Sequence, residues 1–136
     1  MTHLFMLGTN IVSYVIKGRL RSSERLVRVP VHLLCISSIT AGEICFGLAN
    51  KPEALRLNAS AAEFLRRAEI LAWDAQAASC YGDIRAGLQR AGRSMDKMDL
   101  LIAAHALSLG ATLVTNDAAC AEIPGLATED WTQPLQ

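Results

Sequence analysis

Four short segments carry the side chains that could do chemistry: Gly8-Thr9-Asn10, Thr40 to Glu43, Asp96 to Asp99, and Thr115-Asn116-Asp117. Three of the four supply a carboxylate, and each either follows a short apolar run or opens a helix. Oxygen-only clusters of this kind suit Mg²⁺ or Mn²⁺, hard cations that keep several waters. An ion so held activates water and neutralises charge developing on a phosphodiester.

Each residue also has a plain structural reading. Glu43 stands three after Thr40, so Thr-x-x-Glu reads as a capping box. Asp99 in a helix's first turn is favoured by the helix dipole, and Asp96 reads as the N-cap of the same helix. Asp117 is an ordinary turn or N-cap residue by type, and Asn10 could cap the first helix. His105 falls on an apolar helix face and reads as a core histidine. Convergence of several such residues on one rim is what favours function over these readings.

The elements that must position them alternate. Leu4 to Leu7 is an apolar run of strand length, followed by a helix over Ile11 to Ile16 closed near Gly18. A second helix is expected from about Ser22 to Val29, then a strand from Val31 to Ser37. Thr40 opens a helix reaching about Ala49, and Pro52 another reaching about Arg67. Ile70 to Trp73 is a third strand, and Asp74 caps a long helix from Ala75 to Arg90. The helix begun by Asp96 places Met98, Leu101, Ile102, His105 and Leu109 on one face and stops at Gly110. Ala111 to Val114 is the next strand, and Leu126 to Thr128 the last, at an edge. Strands alternating with helices imply crossover connections, a mostly parallel sheet and helices on both faces. Ligands of such sheets bind outside the strands' carboxyl ends, where Asp117 lies.

Residues 1–136 form one domain, and 51% hydrophobic content is ample for a core. Net charge is zero but unevenly placed. Lys17, Arg19, Arg21, Arg25 and Arg28 face a single acid, Glu24, within residues 17–28. From Asp99 onward there are acids but no Lys or Arg. That asymmetry suits a metal site beside phosphate-binding charge, and equally two solvated faces of opposite sign. The four cysteines form no Cys-x-x-Cys pair and His3, His32 and His105 no zinc spacing. A reduced cytoplasmic protein is expected, with no signal peptide and no membrane span. A nucleotide-binding domain is disfavoured, because Gly8-Thr9-Asn10 lacks the glycine spacing and the lysine of a phosphate loop.

The order of these segments resembles PIN-domain ribonucleases, specifically the VapC-type toxins of toxin–antitoxin pairs. The residues that carry it are Phe5 to Asn10, Ile36 to Glu43, Met98 to Ala106, Leu113 to Asp117, and Ile123 to Leu126 with Trp131. The resemblance implies an α/β/α sandwich around a parallel sheet of about five strands. It implies Mg²⁺- or Mn²⁺-dependent cleavage of RNA, often tRNA; in-line attack by a metal-activated water is then expected to leave a 3′-hydroxyl and a 5′-phosphate. It also implies a VapB-like antitoxin that inserts at the active-site groove, and pairing of two toxin subunits. Carried over residue by residue, Glu43, Asp99 and Asp117 match the family's acids. Asn10, Ser37 and Thr115 match its supporting polar residues, with Thr9, Asp96 and Asn116 beside them. Arg19, Arg21 and Arg25 are candidates to hold the RNA backbone. The departure is Gly8, where the family places a metal-binding aspartate. An impaired ribonuclease is therefore expected, with metal affinity and activity both reduced. The alternative is a non-catalytic module that binds an antitoxin, RNA, or both.

Overall fold

Strand β1 (Phe5–Leu7) is the middle of the sheet, although it is the first element of the chain. In the computed structural model, which describes residues 3–19, 26 and 28–133, five strands run in the order β3-β2-β1-β4-β5. The others are β2 (Leu34–Ser37), β3 (Ile70–Leu71), β4 (Thr112–Val114) and β5 (Thr128–Glu129), and every pairing is parallel. Phe5 stands opposite both Leu34 and Thr112, so the carboxyl ends of β1, β2 and β4 come to one level.

Five helices complete the described chain: α1 (Thr9–Ile16), α2 (Ser38–Asn50), α3 (Leu55–Arg67), α4 (Ala75–Arg90) and α5 (Lys97–Leu109). Alternate residues of the central strands point to opposite faces. Met6, Cys35 and Leu113 enter one core with Leu100, Ile102, Ala103 and Ala104 of α5. Leu7, Ile36 and Val114 enter the other with Ile11 and Val12 of α1, Ile44 of α2 and Trp131. Apolar runs without polar alternation are what a sheet covered on both faces demands.

Local chemistry sets the helix ends. Asp74 accepts from the Ala77 amide, and Asp96 from the amides of Met98 and Asp99. Gly110 closes α5 at φ 65, a left-handed conformation that glycine adopts without penalty from a Cβ.

Several expected boundaries move. Val31–Leu33 forms a short 3₁₀ turn, closed by the Leu33 amide on the Pro30 carbonyl, so the strand begins only at Leu34. The helix after β2 starts at Ser38 rather than Thr40, because Ser37 is the N-cap and accepts from the Ile39 amide. The helix expected from Pro52 starts at Leu55, and the last strand sits one to two residues later than expected. The helix expected over residues 22–29 falls largely outside the described residues, as do Arg21 and Arg25.

Candidate functional site at the carboxyl ends of the central strands

Gly8 ends β1 with φ −71 and ψ 165, an extended conformation open to any residue. Its amide donates to the Val114 carbonyl over 2.9 Å, which seals β1 against β4 at the rim. A Cβ added at Gly8 would stand 3.1 Å from that carbonyl oxygen, tight enough that the strands would have to yield slightly.

Thr9 opens α1, and its hydroxyl donates to Glu43 Oε1 over 2.7 Å while standing 3.3 Å from Thr40 Oγ1. The capping-box reading of Thr40 and Glu43 is therefore overturned. Thr40 lies inside α2 and is buried, and the Glu43 carboxylate reaches across to α1 instead of back to the helix end. Asn10 is exposed in the first turn of α1, whose N-cap is Gly8, so Asn10 is not a cap.

Asp99 is brought among the other acids by α5. Burial pushes its carboxyl above the usual range, and the charges of Asp96, Asp117 and Glu43 push the same way. Like charges raise a carboxyl only when they are close, so the three proposed acids share one electrostatic neighbourhood. Thr115 Oγ1 accepts from the Asp117 amide over 3.1 Å, and Asp117 Oδ1 accepts from the Ala119 amide over 3.0 Å. Asp117 thus caps the 3₁₀ turn Ala118–Glu122 and faces the rim at once. Asn116 donates to the Tyr14 hydroxyl over 3.4 Å and ties the end of β4 to α1.

Two depressions meet here. A cavity of about 20 Å³ is lined by Gly8, Thr9, Asn10, Asp99, Thr115 and Asp117 among others. A larger groove of about 680 Å³ runs alongside, with Glu43 on its wall, and Thr9 lines both. The donors are hard oxygens that a divalent cation prefers, but their number falls short. Among the described residues no three His, Cys, Asp or Glu side chains stand close enough to hold a metal ion. The small cavity lies against Gly8, the one position of the rim without a side chain.

Residues 5–126 match the PIN domain family. The chain is 40% identical over 130 residues to the tRNA(fMet)-specific endonuclease VapC of Shigella flexneri, covering 94% of this chain and 98% of that one. The chain belongs to the VapC family of PIN domains. Its fold matches the toxin–antitoxin complex VapBC from Salmonella typhimurium, bound to DNA, at a TM-score of 0.83 and 38% identity, over 95% of this chain and 98% of that one. VapBC2 from Rickettsia felis, bound to a promoter DNA fragment, matches at 0.79 and 34%, over 93% and 97%.

Within this VapC-family site some residues lie apart from the acids. Ser37 is buried, and its hydroxyl is 2.8 Å from Nδ1 of the equally buried His105, so it braces α2 against α5 from below. The reading of His105 as a core residue stands; burial holds its imidazole below the usual range, against the pull of Asp74. Arg19 is exposed and lines neither depression.

Sequence reasoning missed Tyr14 and Cys120, and it took Thr40 only as half of a capping box. Thr40 had a signal, since it lies three before Glu43 on one helix face. Cys120 lines the small cavity, and burial, then Asp117 and Asp99, push its thiol up to about 12. Nothing in the sequence marked Tyr14 as the partner of Asn116.

Proposed function

We propose that this chain is a ribonuclease toxin of the VapC kind, impaired at position 8, and that its partner is a VapB-like antitoxin. The observation that carries the reading is the convergence of Glu43, Asp99 and Asp117, from three separate segments, on the carboxyl-end rim of a parallel sheet. The family supports RNA as substrate, because a relative at 40% identity is named a tRNA(fMet)-specific endonuclease.

Among the described residues the rim is short of carboxylates for a metal ion; an aspartate at position 8, beside Asp99 and Asp117 and with Glu43 across the rim, would complete a set of oxygen donors for Mg²⁺ or Mn²⁺. The bound ion would supply charge neutralisation and an acidified water. The chain's own residues do the rest. Thr9 fixes the Glu43 carboxylate, the Thr115 hydroxyl fixes the Asp117 backbone, and Asp96 orders the turn that presents Asp99. With the carboxylate at position 8 restored, water would attack phosphorus in line and the bond to the 3′ oxygen would break. A 3′-hydroxyl and a 5′-phosphate would be left.

The structural relatives are VapBC assemblies, which supports an antitoxin partner; pairing of two toxin subunits is part of the same proposal. Four free cysteines suit the reducing cytoplasm. A second reading, a non-catalytic module binding antitoxin or RNA, draws on the missing side chain at Gly8. A cleavage assay of this protein and its Gly8→Asp variant on a pool of cellular RNA, with Mn²⁺ and with EDTA, decides between them. Cutting by the variant alone, stopped by EDTA, supports the impaired ribonuclease. Equal cutting by both would remove position 8 from the site, and cutting by neither favours the binding module.

A further inference from the structure

The groove beside Glu43 holds a side chain that the acid site does not use. Phe46 is 69% exposed, makes no ring contact among the described residues, and lines this groove three residues after Glu43 on the same face of α2. Met98, 38% exposed and immediately before Asp99, lines the groove as well. An aromatic ring of that exposure sacrifices hydrophobic burial, and here it does so one helical turn from an acid, a rise of about 4.5 Å. Lys17 and Lys51 line the same groove, and neither is ion-paired among the described residues.

We propose that Phe46 is a stacking platform for one base of single-stranded RNA, the base within about one nucleotide of the phosphate held at the acids, with Met98 beside it. This rests on the ribonuclease reading above and assigns that site a residue that selects and orients its substrate. Stacking on an exposed ring accepts any base yet demands that the base be unpaired, so Phe46 directs the acids to loops and single strands. The lysines complement the phosphates on either side, offsetting the repulsion that Glu43, Asp99 and Asp117 exert on a polyanion. A protein segment would be served by the apolar walls, but it would require neither the lysines nor a ring within a nucleotide's reach of Glu43. The groove is continuous with the acid rim through Thr9, so a strand leaving the acids enters it directly.

The impaired protein is the right reagent, because binding can be read without cleavage. Fluorescence anisotropy would compare a labelled single-stranded RNA oligomer with oligomers made abasic at one position at a time, for the parent, Phe46→Leu and Phe46→Trp. Leucine keeps an apolar side chain at an exposed position, and equal melting temperatures check the fold. The expected result is roughly tenfold weaker binding of intact RNA by Phe46→Leu, restored by Phe46→Trp. One abasic oligomer should bind the parent and Phe46→Leu alike. Unchanged affinity of Phe46→Leu for intact RNA overturns the proposal and leaves the groove to a protein segment. If the parent binds no RNA while Gly8→Asp cleaves it, the platform alone is overturned. If there is neither binding nor cleavage, the ribonuclease reading falls with it.

Discussion

Thr9 donates its hydroxyl to Glu43 Oε1 over 2.7 Å, so the residue next to Gly8 clasps an acid carried by a different crossover helix. Thr9→Val keeps the shape and removes the donor. The carboxylate is then left with water in place of a charge-assisted bond, at a cost of about 1 kcal/mol for a half-exposed pair. Urea unfolding should show a lower midpoint for Thr9→Val and a nearly unchanged one for Thr9→Ser.

At position 8 the backbone is ready for a side chain. With φ −71 and ψ 165, Gly8→Asp adds no backbone strain; its Cβ meets the Val114 carbonyl oxygen at 3.1 Å. In EDTA the variant should melt a few degrees below the parent, from that contact and from a further negative charge, a loss of about 1 kcal/mol. Mn²⁺ should raise its melting temperature well above its value in EDTA while moving the parent little. Equal shifts in both proteins would mean that position 8 is no ligand.

Asp99 sets a pH dependence. Its folded-state carboxyl lies above the ordinary value through burial and the charges of Asp96, Asp117 and Glu43. A group whose folded pKa is raised favours the fold when protonated, so its contribution is full below the unfolded pKa and is lost as pH rises through the folded one. Asp99→Asn should therefore raise the melting temperature at neutral pH and change it less at about pH 4. A variant less stable than the parent at neutral pH would contradict the crowding of acids at this rim.

His105 shifts the other way. Burial lowers its imidazole below 6.5, so stability is present above the unfolded value and lost as pH falls through the folded one. His105→Asn keeps a polar group near Ser37 and removes the titration. Thermal melts should show about 1–3 kcal/mol lost at neutral pH and a flatter decline into acid.

The alternation of apolar runs made the sheet and both of its cores readable, because strands as short as Phe5–Leu7 and Thr112–Val114 must be buried on both faces. Caps at Asp74 and Asp96 and the stop at Gly110 were legible for the same reason, each being a local chemical preference. Glu43 misled because Thr40 and Glu43 have the spacing of a cap, and only the N-cap at Ser37 makes Thr40 an interior residue. The Asn116–Tyr14 bond joins residues 102 apart, and no local pattern encodes it. Gly8 was visible as a departure only against a family pattern, since a glycine after a strand is otherwise unremarkable.

The position of β1 between β2 and β4 also has a consequence on the ribosome. Strand β1 has no neighbour on one side until Thr112–Val114 has left the exit tunnel, and Asp117 follows only then. At elongation rates of about 5–20 residues per second, the nascent chain spends several seconds with its acids on unjoined segments. Assembly of the rim thus waits for Asp117, and a copy that stops short of it carries no complete cluster of these acids.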